Sequence, residues 1–149
     1  MNKQFLVKAT RYCAIAERCR HEVSQKLQTW GANDEEIRGV LEYLEAENYL
    51  DEQRYAKAFA NDKFRFEQWG KIKIGYQLRQ KKIASELIKQ ALDQIDKQAY
   101  EKQLYELAQK KIEILQKPNL EKKAALQRYL AQKGFENDLI WRLCEQFFE

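Results

Sequence analysis

The feature that most constrains this chain is a set of apolar positions that recurs three times along it. The first set has the i, i+3, i+4, i+7 spacing of helix faces. It comprises Val23, Leu27, Ile37, Val40, Leu41 and Leu44. Adding 51 to each number gives Ile74, Leu78, Ile88, Ala91, Leu92 and Ile95, and adding a further 52 gives Leu126, Leu130, Ile140, Leu143, Cys144 and Phe147. Because every position stays apolar, the sequence predicts three helical repeats that bury the same face.

Helix boundaries recur at the same offsets. Residues whose side chains can cap a helix N-terminus begin the last helix of each repeat, at Asp34, Ser85 and Asn137. Gly31 and Gly134 precede two of these caps, and glycine suits the left-handed turn that ends a helix. The middle repeat has Lys82 instead, so its turn must differ or be strained.

A further helix precedes each helix pair, over residues 7–18, 51–66 and 96–115, and Pro118 ends the third of these. The chain has one proline and five glycines, which leaves little room for long loops. We therefore predict an all-α fold: one domain of three three-helix repeats, at residues 1–50, 51–95 and 96–149. Since units of this size bury little alone, they should stack into an elongated, curved array.

Several functional classes find little support in the composition. Cys13, Cys19 and Cys144 form no CxxC pair, and His21 is the only histidine, so we expect neither a metal site nor a cofactor. No glycine-rich phosphate loop or acid–base pair stands out, and we expect no enzymatic activity. Reduced thiols and the absence of a long apolar run predict a cytoplasmic protein that does not enter the membrane.

The net charge of +4 is unevenly distributed. Residues 34–62 carry nine acids and three bases, whereas residues 63–92 carry eight bases and two acids, with no acid between Gln68 and Ser85. Helical spacing places Lys71, Gly75, Arg79 and Lys82 on one face, which we expect to point outward with Gly75 open to an approaching backbone. The candidate binding residues for nucleic acid or an acidic protein are Lys63, Arg65, Lys71, Lys73, Arg79 and Lys82.

Aromatic residues accompany these cations. Tyr55, Phe59 and Phe66 share a helix face with core spacing, and we expect all of them to be buried. Phe64 lies off that face, near Trp69 in the sequence. These last two residues form either an exposed stacking surface or packing between repeats, and the second is favoured because repeats need apolar neighbours.

The same region resembles the RecX family of bacterial regulators. The resemblance lies in YLDEQRYA at 49–56, FRFEQWGKIKI at 64–74 and LRQK at 78–81, with EVSQKL at 22–27 and WG at 30–31. It implies tandem three-helix repeats and a non-enzymatic, monomeric protein that lies along the groove of the RecA–DNA filament and limits RecA activity. It also implies contact with DNA, and the face of Lys71, Arg79 and Lys82 predicts that binding to single-stranded and double-stranded DNA is weak and salt-dependent, because it neutralises only about three phosphates.

Two other hypotheses stay open at this point. Three short helices with an internal turn also describe a stand-alone helix-turn-helix protein that binds duplex DNA. A helical scaffold with a purely protein partner is the third possibility, and its binding would be nearly indifferent to DNA.

Overall fold

A computed structural model describes residues 2–148, and within that range every regular element is an α-helix. The helices are α1 (Lys3–Ile15), α2 (Arg20–Thr29), α3 (Asp34–Ala46), α4 (Glu52–Phe66), α5 (Lys71–Gln80), α6 (Ser85–Asp93), α7 (Lys97–Ile114), α8 (Asn119–Gln132) and α9 (Asn137–Phe147). They pack in threes, as unit 1 (α1–α3), unit 2 (α4–α6) and unit 3 (α7–α9). The predicted all-α fold of three-helix repeats is confirmed.

The repeated apolar positions form the cores of the units, as expected. All six positions in unit 1 are buried. In units 2 and 3 the two exceptions are Leu92 and Phe147, which are half-buried and pack at the edge of the core. The apolar period therefore identified the buried helix faces in each unit.

The predicted N-caps were wrong by one residue. Asp34, Ser85 and Asn137 are each the first residue of their helix, and the cap is the residue before. In unit 1 that cap is Asn33, whose Oδ1 accepts a hydrogen bond of 2.8 Å from the amide of Glu36. The Asn33 amide in turn donates to the Glu36 carboxylate, which completes a capping box.

The turn before each of these helices has one backbone geometry in all three units. Gly31 and Gly134 have φ of +94° and +96°, and Lys82 has φ of +61° at the equivalent position. The turn of unit 2 therefore has the same left-handed geometry as the turns of units 1 and 3. Lys82 adopts it although L-residues disfavour this conformation.

The aromatic residues of α4 depart from one expectation. Phe66 is 70% exposed, although it lies almost on the same face as Tyr55, and it is the last residue of the helix. Phe64 is buried instead, and its ring lies 5.8 Å from that of Tyr100 in unit 3. Packing between repeats, rather than an exposed stacking surface, is the role of Phe64.

Units 2 and 3 meet backbone to backbone. The amide of Gly70 donates to the carbonyl of Lys133 over 2.7 Å, and the amide of Ile72 donates to that of Gly134 over 2.9 Å. A Cβ atom on Gly70 would lie 2.4 Å from the Gly134 carbonyl carbon, so the contact exists only because position 70 is glycine. The apolar cores of the two units are continuous across this junction.

Units 1 and 2 meet mainly through side chains. Cys19 and Lys81 occupy the positions that Gly70 and Lys133 occupy at the other junction, and the Cys19 Sγ lies 4.0 Å from the Lys81 carbonyl oxygen. Ion pairs cross the junction between Glu17 and Arg54 at 2.6 Å and between Glu22 and Lys81 at 3.3 Å. The core of unit 1 is separate from that of units 2 and 3.

Candidate functional site

Two of the candidate cations converge on one aromatic ring. The Nζ of Lys63 lies 5.0 Å from the centre of the Trp69 ring, and the Nζ of Lys73 lies 4.6 Å from it. Lys63 is also 5.5 Å from the Phe59 ring, which packs edge-on to Trp69. Because these contacts restrain flexible side chains, the Lys63–Trp69–Lys73 cluster presents two positive charges at defined places.

The ends of α4 and α5 bring these lysines together. Lys63 lies in the last turn of α4, where the helix dipole favours a cation. Lys71 and Lys73 lie in the first turn of α5, which holds no acidic residue, and there the dipole disfavours them. Helix stability therefore explains Lys63, but it does not explain a pair of lysines at the start of α5.

Unit 3 adds a cation that the sequence analysis missed. The Nζ of Lys133 donates to the backbone carbonyl of Glu67 over 3.1 Å, so it lies beside the turn that carries Trp69. Lys133 follows Lys81 by the repeat offset of 52, and that equivalence is the signal that could have identified it.

Lys71 lies at the junction of units 2 and 3. Its amide donates to the Tyr100 hydroxyl over 2.9 Å, and its Nζ lies 5.1 Å from the Tyr100 ring. Burial, together with a hydrogen bond that the hydroxyl donates to Glu136, raises the pKa of Tyr100, so this hydroxyl stays protonated at neutral pH. Lys71 thus helps to join units 2 and 3 through Tyr100, and it also places a positive charge at their junction.

The expectation that Gly75 opens an outer face was wrong. Gly75 is buried, and a Cβ atom there would lie 3.5 Å from a methyl group of Leu92 and 3.8 Å from one of Ile88. The line from Lys71 through Gly75 to Arg79 therefore runs along the side of α5 that packs against α6. The outward side of α5 carries Ile72 and Tyr76 instead.

The remaining candidates are exposed and lie apart from the Lys63–Trp69–Lys73 cluster. Arg65 lies over the ring of Phe66, 5.3 Å from its centre. Arg79 is exposed near the end of α5, and Lys82 follows it in the left-handed turn. The six predicted residues are thus spread over one unit, and only Lys63 and Lys73 share an aromatic partner.

Lys82 also lines a cleft of about 450 Å³ between units 1 and 2. Polar residues supply most of its lining, and Arg20, His21, Glu52 and Lys81 are among them. Burial raises the pKa of the Glu52 carboxyl, which accepts a hydrogen bond from the Arg20 amide. His21 is half-buried in this wall.

Other chemical features are few in the part of the chain that the structure describes. Cys13, Cys19 and Cys144 carry free thiols, and burial raises the pKa of both Cys13 and Cys19 to about 11. Residues 2–148 contain no cluster of three or more metal-ligating side chains. None of the helices in that range combines the length and apolar character needed to cross a bilayer.

Comparison with known protein families matches most of the chain. The models that describe the first, second and third three-helix domains of RecX match residues 6–44, 51–92 and 99–144. The regulatory protein RecX of Prosthecochloris aestuarii is 32% identical over 138 residues, which cover 93% of this chain and 89% of that protein. That of Clostridium botulinum strain Alaska E43 is 34% identical over 122 residues, which cover 80% of this chain and 57% of that longer protein.

Solved structures agree in fold. The crystal structure of RecX from Lactobacillus salivarius has a TM-score of 0.86 at 20% identity, and covers 97% of this chain and 94% of that one. A crystal structure of regulatory protein RecX has a TM-score of 0.84 at 22% identity, and covers 95% of this chain and 72% of that one. At these identities the likeness concerns the fold alone.

Proposed function

The chain belongs to the RecX family of regulatory proteins, and on that basis we propose that it binds the RecA filament on single-stranded DNA. It lies in the groove of the filament and inhibits ATP hydrolysis and strand exchange by RecA. It acts in the cytoplasm as a monomer, without a cofactor and without catalysis of its own. Its direct contact with DNA is weak and salt-dependent.

The observation that supports this most strongly is the cationic surface of unit 2. Lys63 and Lys73 are held over Trp69, and Arg65, Arg79 and Lys82 are exposed. No acid occurs between Gln68 and Ser85 to neutralise Lys73, Arg79 and Lys82. Polyanions and acidic protein surfaces are the partners that such a surface attracts, and a RecA filament contains DNA, which is a polyanion.

The position of the lysines on α5 supports a binding role further. A cation in the first turn of a helix opposes the helix dipole, by an amount on the order of 0.3–1 kcal/mol. The first turn of α3, by contrast, holds Asp34, Glu35 and Glu36, which suit that dipole. Contact between these lysines and an acidic partner would offset that cost.

The test is a titration of the protein into RecA assembled on single-stranded DNA, with ATP hydrolysis as the readout. Wild type should inhibit, and the variant Arg65→Gln/Arg79→Gln/Lys82→Gln should need a concentration at least about tenfold higher. Three lost charge contacts of about 0.5–1 kcal/mol each amount to that factor or more. All three side chains are exposed, so the fold should be retained.

A matched control removes the same number of charges elsewhere. Lys89, Lys102 and Arg142 are exposed and already paired with an acid one helical turn away. Replacing all three with Gln should leave inhibition at the wild-type level, because such pairs contribute little. Equal loss in both variants would mean that net charge alone matters, and an inactive wild type would refute the proposed function.

The same variants also test direct binding to DNA without RecA. Each phosphate contact contributes about 0.7 to the slope of log affinity against log salt on single strands, so losing three contacts should flatten the slope by about 2. Tight, sequence-specific duplex binding by wild type would favour the stand-alone helix-turn-helix protein instead.

A further inference from the structure

The outward side of α5 carries an exposed apolar pair. Ile72 is 53% exposed and Tyr76 is 51% exposed. Their i, i+4 spacing puts them on one face, opposite the buried Ile74 and Leu78. Lys73 precedes Tyr76 by three residues and Arg79 follows it by three, so a cation lies on each side of the pair.

The fold does not require apolar residues at these two positions. By the repeat offsets, Ile72 corresponds to His21 in unit 1 and to Ala124 in unit 3. Tyr76 corresponds to Gln25 and to Arg128. Both neighbouring units form the same helix pair with polar or small residues there, so packing within the repeat does not account for Ile72 and Tyr76.

We propose that Ile72 and Tyr76 dock unit 2 onto a protein surface that combines an apolar patch with acidic side chains around it. This inference rests on the proposed function, in which that surface belongs to RecA subunits of the filament. The complementary charge comes from Lys73 and Arg79, and no acid occurs nearby in the sequence to repel a carboxylate. The binding mode is that of a helix whose i and i+4 side chains enter an apolar surface.

The chemistry of the pair favours protein over nucleic acid as its partner. Proteins that grip single strands without sequence preference stack bases on aromatic rings, and the aliphatic side chain of Ile72 offers no such ring. Trp69 lies three residues before Ile72, and both Lys63 and Lys73 lie close to its ring. The face therefore combines an aliphatic side chain, one aromatic ring and flanking charge, which suits a protein surface.

The experiment uses the variant Ile72→Ala/Tyr76→Gln, whose residues already occur at equivalent positions in units 3 and 1. The substitution changes no charge, so binding to a fluorescent single-stranded oligonucleotide should keep its affinity and its salt slope. In the RecA ATP hydrolysis assay, half-inhibition should need at least about tenfold more protein, since truncating interface hot spots commonly has that effect or a larger one.

The control variant is Ile114→Ala/Leu120→Gln, which removes two apolar side chains that are 70% and 82% exposed at the α7–α8 connection. It should inhibit like wild type. Equal inhibition by Ile72→Ala/Tyr76→Gln and wild type would overturn the inference while leaving the proposed function intact. A parallel loss of oligonucleotide binding would also overturn it, because the pair would then contact DNA. If wild type itself does not inhibit RecA, the proposed function fails and the inference fails with it.

Discussion

Lys82 has a backbone conformation that lowers the stability of the fold. The equivalent turns of units 1 and 3 use glycine, whereas Lys82 adopts φ of +61° and projects its charge at the cleft between units 1 and 2. A non-glycine residue in this conformation is disfavoured by roughly 1–2 kcal/mol. A strained cation at a proposed binding surface is consistent with a role in binding.

Replacing Lys82 with glycine should therefore stabilise the protein. Relief of the left-handed conformation outweighs the roughly 0.5–1 kcal/mol that glycine loses in chain entropy, so the free energy of unfolding should rise by about 0.5–1 kcal/mol. Urea denaturation measures the change. Gln80→Gly, two residues earlier in regular helix, should lower the stability instead. A lower stability for Lys82→Gly would contradict this account of the turn.

Single-residue features were only partly predictable from the sequence. Gly31 and Gly134 marked their turns correctly, because glycine is the usual residue at positive φ. Asn33 and Asp34 are both good capping residues in adjacent positions, so the cap was placed one residue late. Phe66 is exposed at the last residue of α4, and the apolar spacing that it shares with Tyr55 does not show where the core ends along the helix.

At the scale of the helix, α5 has a different requirement at each of its two glycines. Gly70 precedes the helix and touches the backbone of unit 3. Gly75 lies within the helix, where an added methyl group would meet its neighbours at ordinary contact distances of 3.5 Å or more. Only the first position needs glycine for space.

We expect opposite effects from alanine at these two positions. Gly70→Ala should lower the free energy of unfolding by about 2–3 kcal/mol, because overpacking against backbone forces units 2 and 3 apart. Alanine adopts the φ of −79° of Gly70 without strain, so the lost stability measures the contact with Gly134 and not a backbone conformation that only glycine allows. Gly75→Ala should raise stability by about 0.5–1 kcal/mol through helix propensity. Chemical denaturation of both variants is the measurement, and similar stabilities would contradict the junction described here.

The helices themselves were easier to predict than their mutual contacts. Burial of Val23, Leu27 and their repeats follows from the apolar period, since each helix buries one face whatever its neighbours are. The Gly70–Gly134 contact joins residues far apart in sequence, and no local signal links them. Gly75 was placed on an outer face for the same reason. Its burial depends on contact with Ile88 and Leu92 of α6, and the sequence of α5 alone does not show that contact.

At the scale of the whole molecule, the two junctions differ in kind. Backbone hydrogen bonds and a continuous apolar core fix unit 3 on unit 2. Unit 1 has its own core, and its junction with unit 2 combines the buried Cys19 with ion pairs such as Glu17–Arg54, which salt screens. Unit 2 thus lies between two neighbours, with Arg65, Arg79, Lys82 and its apolar pair exposed.

The measurement that tests the central proposal most directly is co-sedimentation with RecA filaments assembled on single-stranded DNA. The protein should pellet with the filaments at moderate salt, and much less with the same DNA without RecA, because its direct contact with DNA is weak. The Arg65→Gln/Arg79→Gln/Lys82→Gln variant should pellet less than wild type, and the Lys89, Lys102 and Arg142 control should pellet equally. If wild type stays in the supernatant with filaments, or pellets equally with DNA alone, the protein does not act by binding the RecA filament.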